Sequence, residues 1–136
     1  MGIFKNLVKF VLMFFVFVGC TTSKKNNKTQ NEKVLSNYSF YQRGIASFYH
    51  YNLSGRKTAN GEIFNPKKLT AASRTLPFKS TVLVRDVKTG KSVIVEINDR
   101  GPYIENRVID LSEAAAKKLG ITKKGIAKVD LFLVSN

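Results

Sequence analysis

Acidic residues are scarce in this chain: nine Asp and Glu stand against 23 Lys and Arg in 136 residues, a net charge of +14. Cysteine and histidine occur once each, as Cys20 and His50. One cysteine excludes an intramolecular disulfide and a cysteine-ligated metal site. His50 has no second histidine or free cysteine to share a metal with, and no calcium-loop spacing of carboxylates is present, so no metal ligand and no cofactor is assigned. Ser54, Ser73 and Ser80 have only His50 as a candidate base, which makes a serine-hydrolase triad a poor reading. No nucleic-acid motif and no arginine–aromatic repeat accompanies the positive charge. A membrane-spanning run is also missing: Phe10 to Val18 is uncharged but holds nine residues, where a bilayer needs about 20.

That short apolar run has another use. Lys5 and Lys9 precede it and Gly19-Cys20 ends it, the order of charge, core and small residue found in an export leader. Gly19-Cys20 resembles a lipobox, so residues 1–19 are expected to be removed and Cys20 lipidated. A diacylglycerol thioether with an amide-linked chain supplies the two lipid signals a stable anchor needs. The domain would then be tethered to a bacterial membrane, on its periplasmic or cell-wall side. Thr21 stands where inner-membrane lipoproteins often carry Asp, which favours the outer membrane in a two-membrane cell. Loss of Lys5 and Lys9 lowers the net charge by two. Nucleic acid, anionic lipid and anionic cell-wall polymer all suit such a charge, and export argues against nucleic acid.

Residues 20–42, including "TTSKKNNKTQNEK", are polar and aperiodic and read as a linker. Residues 43–135 have the size of one small domain. Its signals are mainly β. "GIASFYHY" reads as a strand, and "TVLVRDV" and "KSVIVEI" as a hairpin turning at Gly90. In the second arm Val93, Val95 and Ile97 share a face, while Glu96 points the other way. "RVIDL" and "AKVDLFLV" read as further strands. "SEAAAKKLG" is a helix with Ser112 as cap, Glu113 and the Lys117-Lys118 pair at the favourable ends, and Gly120 as stop. Many short strands with one or two short helices suggest a closed barrel, which leaves no exposed edge.

Few carboxylates make few candidate acids. Asp110 is expected to bond backbone N–H groups at the helix cap. Glu113 serves the helix end, Asp86 the hairpin, and Glu105 a polar turn. Two acids stand out, each in a glycine-bearing turn beside an apolar segment: Glu62 in "GRKTANGEIF" and Asp99 in "NDRGP". A carboxylate pair suits glycosidic cleavage, one protonating the leaving oxygen and one stabilising positive charge or activating a nucleophile. Spacing alone also allows a turn-stabilising Asp99–Arg100 pair and a solvated Glu62.

"GIASFYH", "GRKTANGEIF", "LTAASRTLPF", "VLVRDVKTGKSVIVEINDRGPY" and "RVIDLSEAAAKKLG" occur in this order from Gly44 to about Val134. Together they resemble the rare lipoprotein A (RlpA-like) lytic transglycosylases. The resemblance implies a six-stranded double-psi β-barrel and cleavage of the β-1,4 bond between N-acetylmuramic acid (MurNAc) and N-acetylglucosamine (GlcNAc). The muramyl C6 hydroxyl attacks C1 and leaves a 1,6-anhydro end. It carries the catalytic role to Asp99 and Glu62, with Asp99 as acid then base and Glu62 stabilising charge, or the reverse. Arg100 is expected to point away from Asp99. Ser73, Arg100, Asn98, Tyr49 and Thr58, all inside matching stretches, are the substrate-binding or positioning candidates. Ser73 departs from the pattern, which has histidine there; a hydroxyl bonding Asp99 would be its substitute. Peptidoglycan strands are the implied partner, division-site proteins a further one, and a monomer is the expected state. No stretch resembles the family's C-terminal peptidoglycan-binding repeat, so septal recruitment is not assumed. The alternative, favoured by Ser73, is a non-catalytic, expansin-like wall-binding lipoprotein or a barrel with a vestigial groove.

Overall fold

The computed structural model describes residues 32–33, 35–49 and 51–134. The leader, Cys20 and His50 lie outside these residues. Six strands close into one barrel: β1 (Tyr38–Phe48), β2 (Thr70–Ala72), β3 (Thr81–Asp86), β4 (Ser92–Asp99), β5 (Arg107–Leu111) and β6 (Ala127–Val134). A 3-10 turn (Tyr51–Leu53) follows β1, and helix α1 (Glu113–Leu119) lies between β5 and β6. Around the barrel the order is β1-β5-β2-β4-β3-β6. β1 with β5 and β2 with β4 are parallel; the other neighbours are antiparallel. β1 begins at Tyr38, ahead of the expected boundary at residue 43, because Tyr38 to Phe40 pair with the end of β6.

Period-two patterning builds the core. Val93, Val95 and Ile97 of β4 are buried while Ser92, Ile94 and Glu96 are exposed. Val82 and Val84, Ile109 and Leu111, and Val129 and Leu131 join them from the neighbouring strands, and Ala115, Ala116 and Leu119 of α1 close one side. The helix signals act as read: Ser112 Oγ accepts from Ala115 N–H, Gly120 caps the end, and Lys117 reaches Glu113 at 2.8 Å. Asp86 serves the hairpin, accepting from the amides of Lys88 and Thr89. Asp110 differs from its expected capping role. Its carboxylate takes the Arg107 guanidinium three residues earlier, which offers a charge-assisted bond where the cap is already filled by Ser112.

β2 has three residues, all buried, and reads as no strand in the sequence. Alanine has little strand preference; pairing with β4 on one side and β5 on the other makes this segment extended. Close approach elsewhere depends on Gly44. A Cβ there would lie 2.3 Å from Val108 Cγ1. Gly44→Ala is expected to lower the unfolding free energy by about 1–3 kcal/mol through overpacking, with part recovered by adding Val108→Ala. Urea unfolding of both variants checks this.

Candidate active site

The alternation of β4 breaks at its end. Ile97 and Asn98 are both buried, and Ala71 and Ala72 of β2 pair with Ile97 and Asp99, so β4 carries an extra residue at Asn98. A bulge of this kind re-aims the side chains around it. Here Asn98 and Asp99 both reach the same loop.

That loop is a small hairpin. Gly55 N–H bonds Phe64 C=O, Phe64 N–H bonds Arg56 C=O, and Lys57 bridges Ile63. The turn runs through Asn60 and Gly61, with Gly61 at φ +90°, a conformation that favours glycine. Thr58 Oγ1 donates to Asn60 Oδ1, which also accepts from Glu62 N–H. The tip is fastened to the end of β4 at three points. Ala59 N–H donates to Asp99 Oδ1 at 2.9 Å, Asn60 N–H to Asn98 C=O at 3.3 Å, and Asn98 Nδ2 to Glu62 Oε2 at 3.1 Å. Glu62 and Asp99, 37 positions apart in sequence, are thereby brought to one locus.

The two carboxylates are held differently. Asp99 Oδ1 accepts from two backbone amides, Ala59 and Arg100, and Oδ2 accepts from the Tyr49 hydroxyl at 2.9 Å. A pocket of about 100 Å³, lined by Tyr49, Leu53, Thr58 and Phe64 among others, opens beside Asp99. Tyr49 packs edge-on against Phe64, with centroids 5.2 Å apart. Burial first, then its bond to Asp99, raises the Tyr49 hydroxyl well above the usual tyrosine range, so it remains a donor. Glu62 is exposed. Hydrogen bonding from Asn98, then Asn60, holds it below the usual glutamate range, so it is anionic near neutral pH. Tyr49→Phe keeps the ring packing and removes the hydroxyl. It is expected to slow turnover on the order of tenfold, the low end for a hydrogen bond to a charged group, with thermal unfolding nearly unchanged.

Arg100 points away from the Asp99 carboxylate, as expected. Its guanidinium donates to Ser73 C=O at 3.1 Å and lies 3.7 Å from the Phe78 ring centroid. It ties the loop after β2 to the end of β4. Ser73 corrects an expectation: its hydroxyl does not bond the Asp99 side chain. It is buried and accepts from Thr75 and Leu76 N–H, closing a turn of the kind serine often makes, while its own amide donates to Asp99 C=O. Thr58 spends its hydroxyl inside the hairpin tip. Ala59, which fixes Asp99 through a main-chain donor, carried no signal in its side chain; the Asn60-Gly61 pair marked the turn that presents it.

A family model described as lytic transglycolase matches residues 41–131. The endolytic peptidoglycan transglycosylase RlpA of Pasteurella multocida is 48% identical over 107 residues, 79% of this chain and 36% of that protein. That of Haemophilus influenzae is 50% identical over 91 residues, 67% of this chain and 32% of that protein.

The chain belongs to the RlpA-like lytic transglycolase family.

It spans about a third of the length of these curated relatives. Its barrel is the double-psi β-barrel that the resemblance implied. Two solved structures share the fold. The Streptomyces papain inhibitor has a TM-score of 0.54 at 20% identity, covering 71% of this chain and 97% of that one. A Clavibacter michiganensis expansin has a TM-score of 0.54 at 20% identity, covering 69% of this chain and 50% of that one. Within this RlpA-like barrel, the hairpin tip meets the bulged end of β4: "NGE" and "NDRGP" are one structural unit, joined by Asn98.

Proposed function

We propose that the barrel is a lytic transglycosylase that cleaves the MurNAc–GlcNAc β-1,4 bond of peptidoglycan strands with formation of 1,6-anhydroMurNAc. One observation carries the reading: the hairpin bearing Glu62 is fastened to the strand end bearing Asp99, so the two carboxylates are held at one locus, Asp99 lining the pocket and Glu62 exposed on the hairpin beside it. Family membership supports the reaction class.

Asp99 is the acid and base. Its Oδ1 is taken by two amides, whereas Oδ2 meets one hydroxyl, and the residue lines the pocket. A proton on that oxygen passes to the leaving GlcNAc O4 as the C1–O4 bond breaks. The same oxygen then takes the proton of the muramyl C6 hydroxyl as its oxygen bonds C1, so the carboxyl is regenerated and no water is consumed. Glu62, held ionised, faces the positive charge that develops at C1. Tyr49 and the Ala59 amide keep Asp99 in register with the bond.

Lipidation at Cys20 would place the full chain on a membrane, with its domain facing the wall; a monomer suffices, because every residue named belongs to one barrel. The second reading, glycan binding without cleavage, is favoured by one observation: Ser73 is folded into its own turn and offers no side chain to the groove. The full chain in detergent, incubated with peptide-free glycan strands, separates the two by mass spectrometry. Anhydromuramyl ends support the enzyme. Binding without new ends sinks it.

A further inference from the structure

We propose that a second pocket, of about 410 Å³, between β1, β5, β6 and the loop after β2, binds a carboxylate carried by the same glycan strand. The inference rests on the glycan-binding part of the function proposed above. The pocket shares no lining residue with the one at Asp99. It is nevertheless close in the chain. Arg74 lines it, and the preceding residue, Ser73, donates its amide to Asp99 C=O at 3.1 Å.

Its charge is one-sided. Arg43, Arg74 and Lys128 line it, and no acid does. Arg43 is answered from outside the lining by Asp130, its cross-strand partner, through bonds of 2.6 and 2.9 Å. Lys128 feels the same carboxylate only at a distance. Arg74 is exposed and has no carboxylate partner among the described residues. Elsewhere in the barrel Arg107 is paired with Asp110 and Lys117 with Glu113, and Arg100 is spent on carbonyls and a ring. Cations gathered on a concave wall focus a positive potential that an entering anion relieves. The guanidinium fork of Arg74 matches a carboxylate. Gln42 and Asn106 add amides for sugar hydroxyl or acetamido groups, and Val108 an apolar contact. The volume falls in the range of small-ligand sites.

Peptidoglycan offers this chemistry in two forms. Peptide-free muramic acid carries a lactyl carboxylate. In peptide-bearing strands that group is an amide, and the carboxylates sit on the peptide.

The test measures Kd of the full chain in detergent for three strands: peptide-free, peptide-free with carboxyls converted to amides, and peptide-bearing. Wild type is expected to bind a carboxylate-bearing strand about tenfold more tightly than the amidated one. Arg74→Gln with Lys128→Gln brings that ratio toward one, and Arg74→Lys keeps most of it. Binding of the amidated strand by the double variant shows that it is folded. A preference for peptide-free strands assigns the lactyl group; a preference for peptide-bearing strands with the same Arg74 dependence assigns the peptide. A wild-type ratio near one, or a ratio unchanged in the double variant, overturns the proposal. Anhydromuramyl ends counted on the same strands report cleavage separately. Their absence would defeat the lytic reading and leave the carboxylate preference standing.

Discussion

Asp99→Asn is expected to lower formation of anhydromuramyl ends by about 10²- to 10⁴-fold, the usual contribution of a positioned acid–base group. The asparagine can keep the local structure. Its Oδ1 still accepts from the Ala59 and Arg100 amides, and its Nδ2 turns to the Tyr49 oxygen, which can accept as well as donate. What it cannot do is deliver a proton to O4 and recover one from the C6 hydroxyl. Thermal unfolding close to wild type, with glycan still bound, would attribute the loss to chemistry. Retention of wild-type turnover would remove Asp99 from the reaction and, with it, the proposed mechanism.

The second large effect is expected from Glu62→Gln, on the order of a hundredfold in turnover, the scale of losing one preorganised electrostatic group at a reacting centre. Glutamine still accepts from Asn98 Nδ2, so the hairpin remains docked. Only the charge goes. The pH profile adds a signature. Because Asn98 and then Asn60 hold Glu62 below the ordinary glutamate range, it stays ionised as pH falls through that range, and activity lost by its protonation is lost only below it. The same sign holds for stability: a depressed folded-state pKa contributes above the unfolded value and its contribution disappears as pH falls through the folded value. Glu62→Gln should therefore flatten the part of the acid limb that lies below the ordinary glutamate range. A variant with wild-type rate at neutral pH would reassign Glu62 to holding the hairpin.

Ser73 connects these predictions to the alternative reading. Where the resemblance implied a histidine, this chain closes a turn with a hydroxyl. The polar partner that the sequence led one to seek at Asp99 is supplied instead by Tyr49, from the end of β1. If turnover depends on Asp99, Glu62 and Tyr49 together, the groove works without a third side chain from the loop after β2.

Local pattern determined much of this molecule. The alternation of Val93, Val95 and Ile97, the turn at Gly90 and the Ser112 and Gly120 signals act over a few residues, and backbone geometry alone reads them out. The family resemblance, not local pattern, pointed to Asp99 and Glu62, and the fold fastens the segments that carry them to each other. Tertiary structure decided what depends on neighbours distant in sequence. β2 is a strand because β4 and β5 flank it, not because Thr70-Ala71-Ala72 prefers one. Asp110 left the helix cap for Arg107, and Ser73 turned to its own loop, since each found a nearer partner than the one expected. The bulge at Asn98, the main-chain donor at Ala59 and an Arg74 without a carboxylate partner among the described residues have no signature in side-chain order, because they arise from the way separate segments meet when the barrel closes.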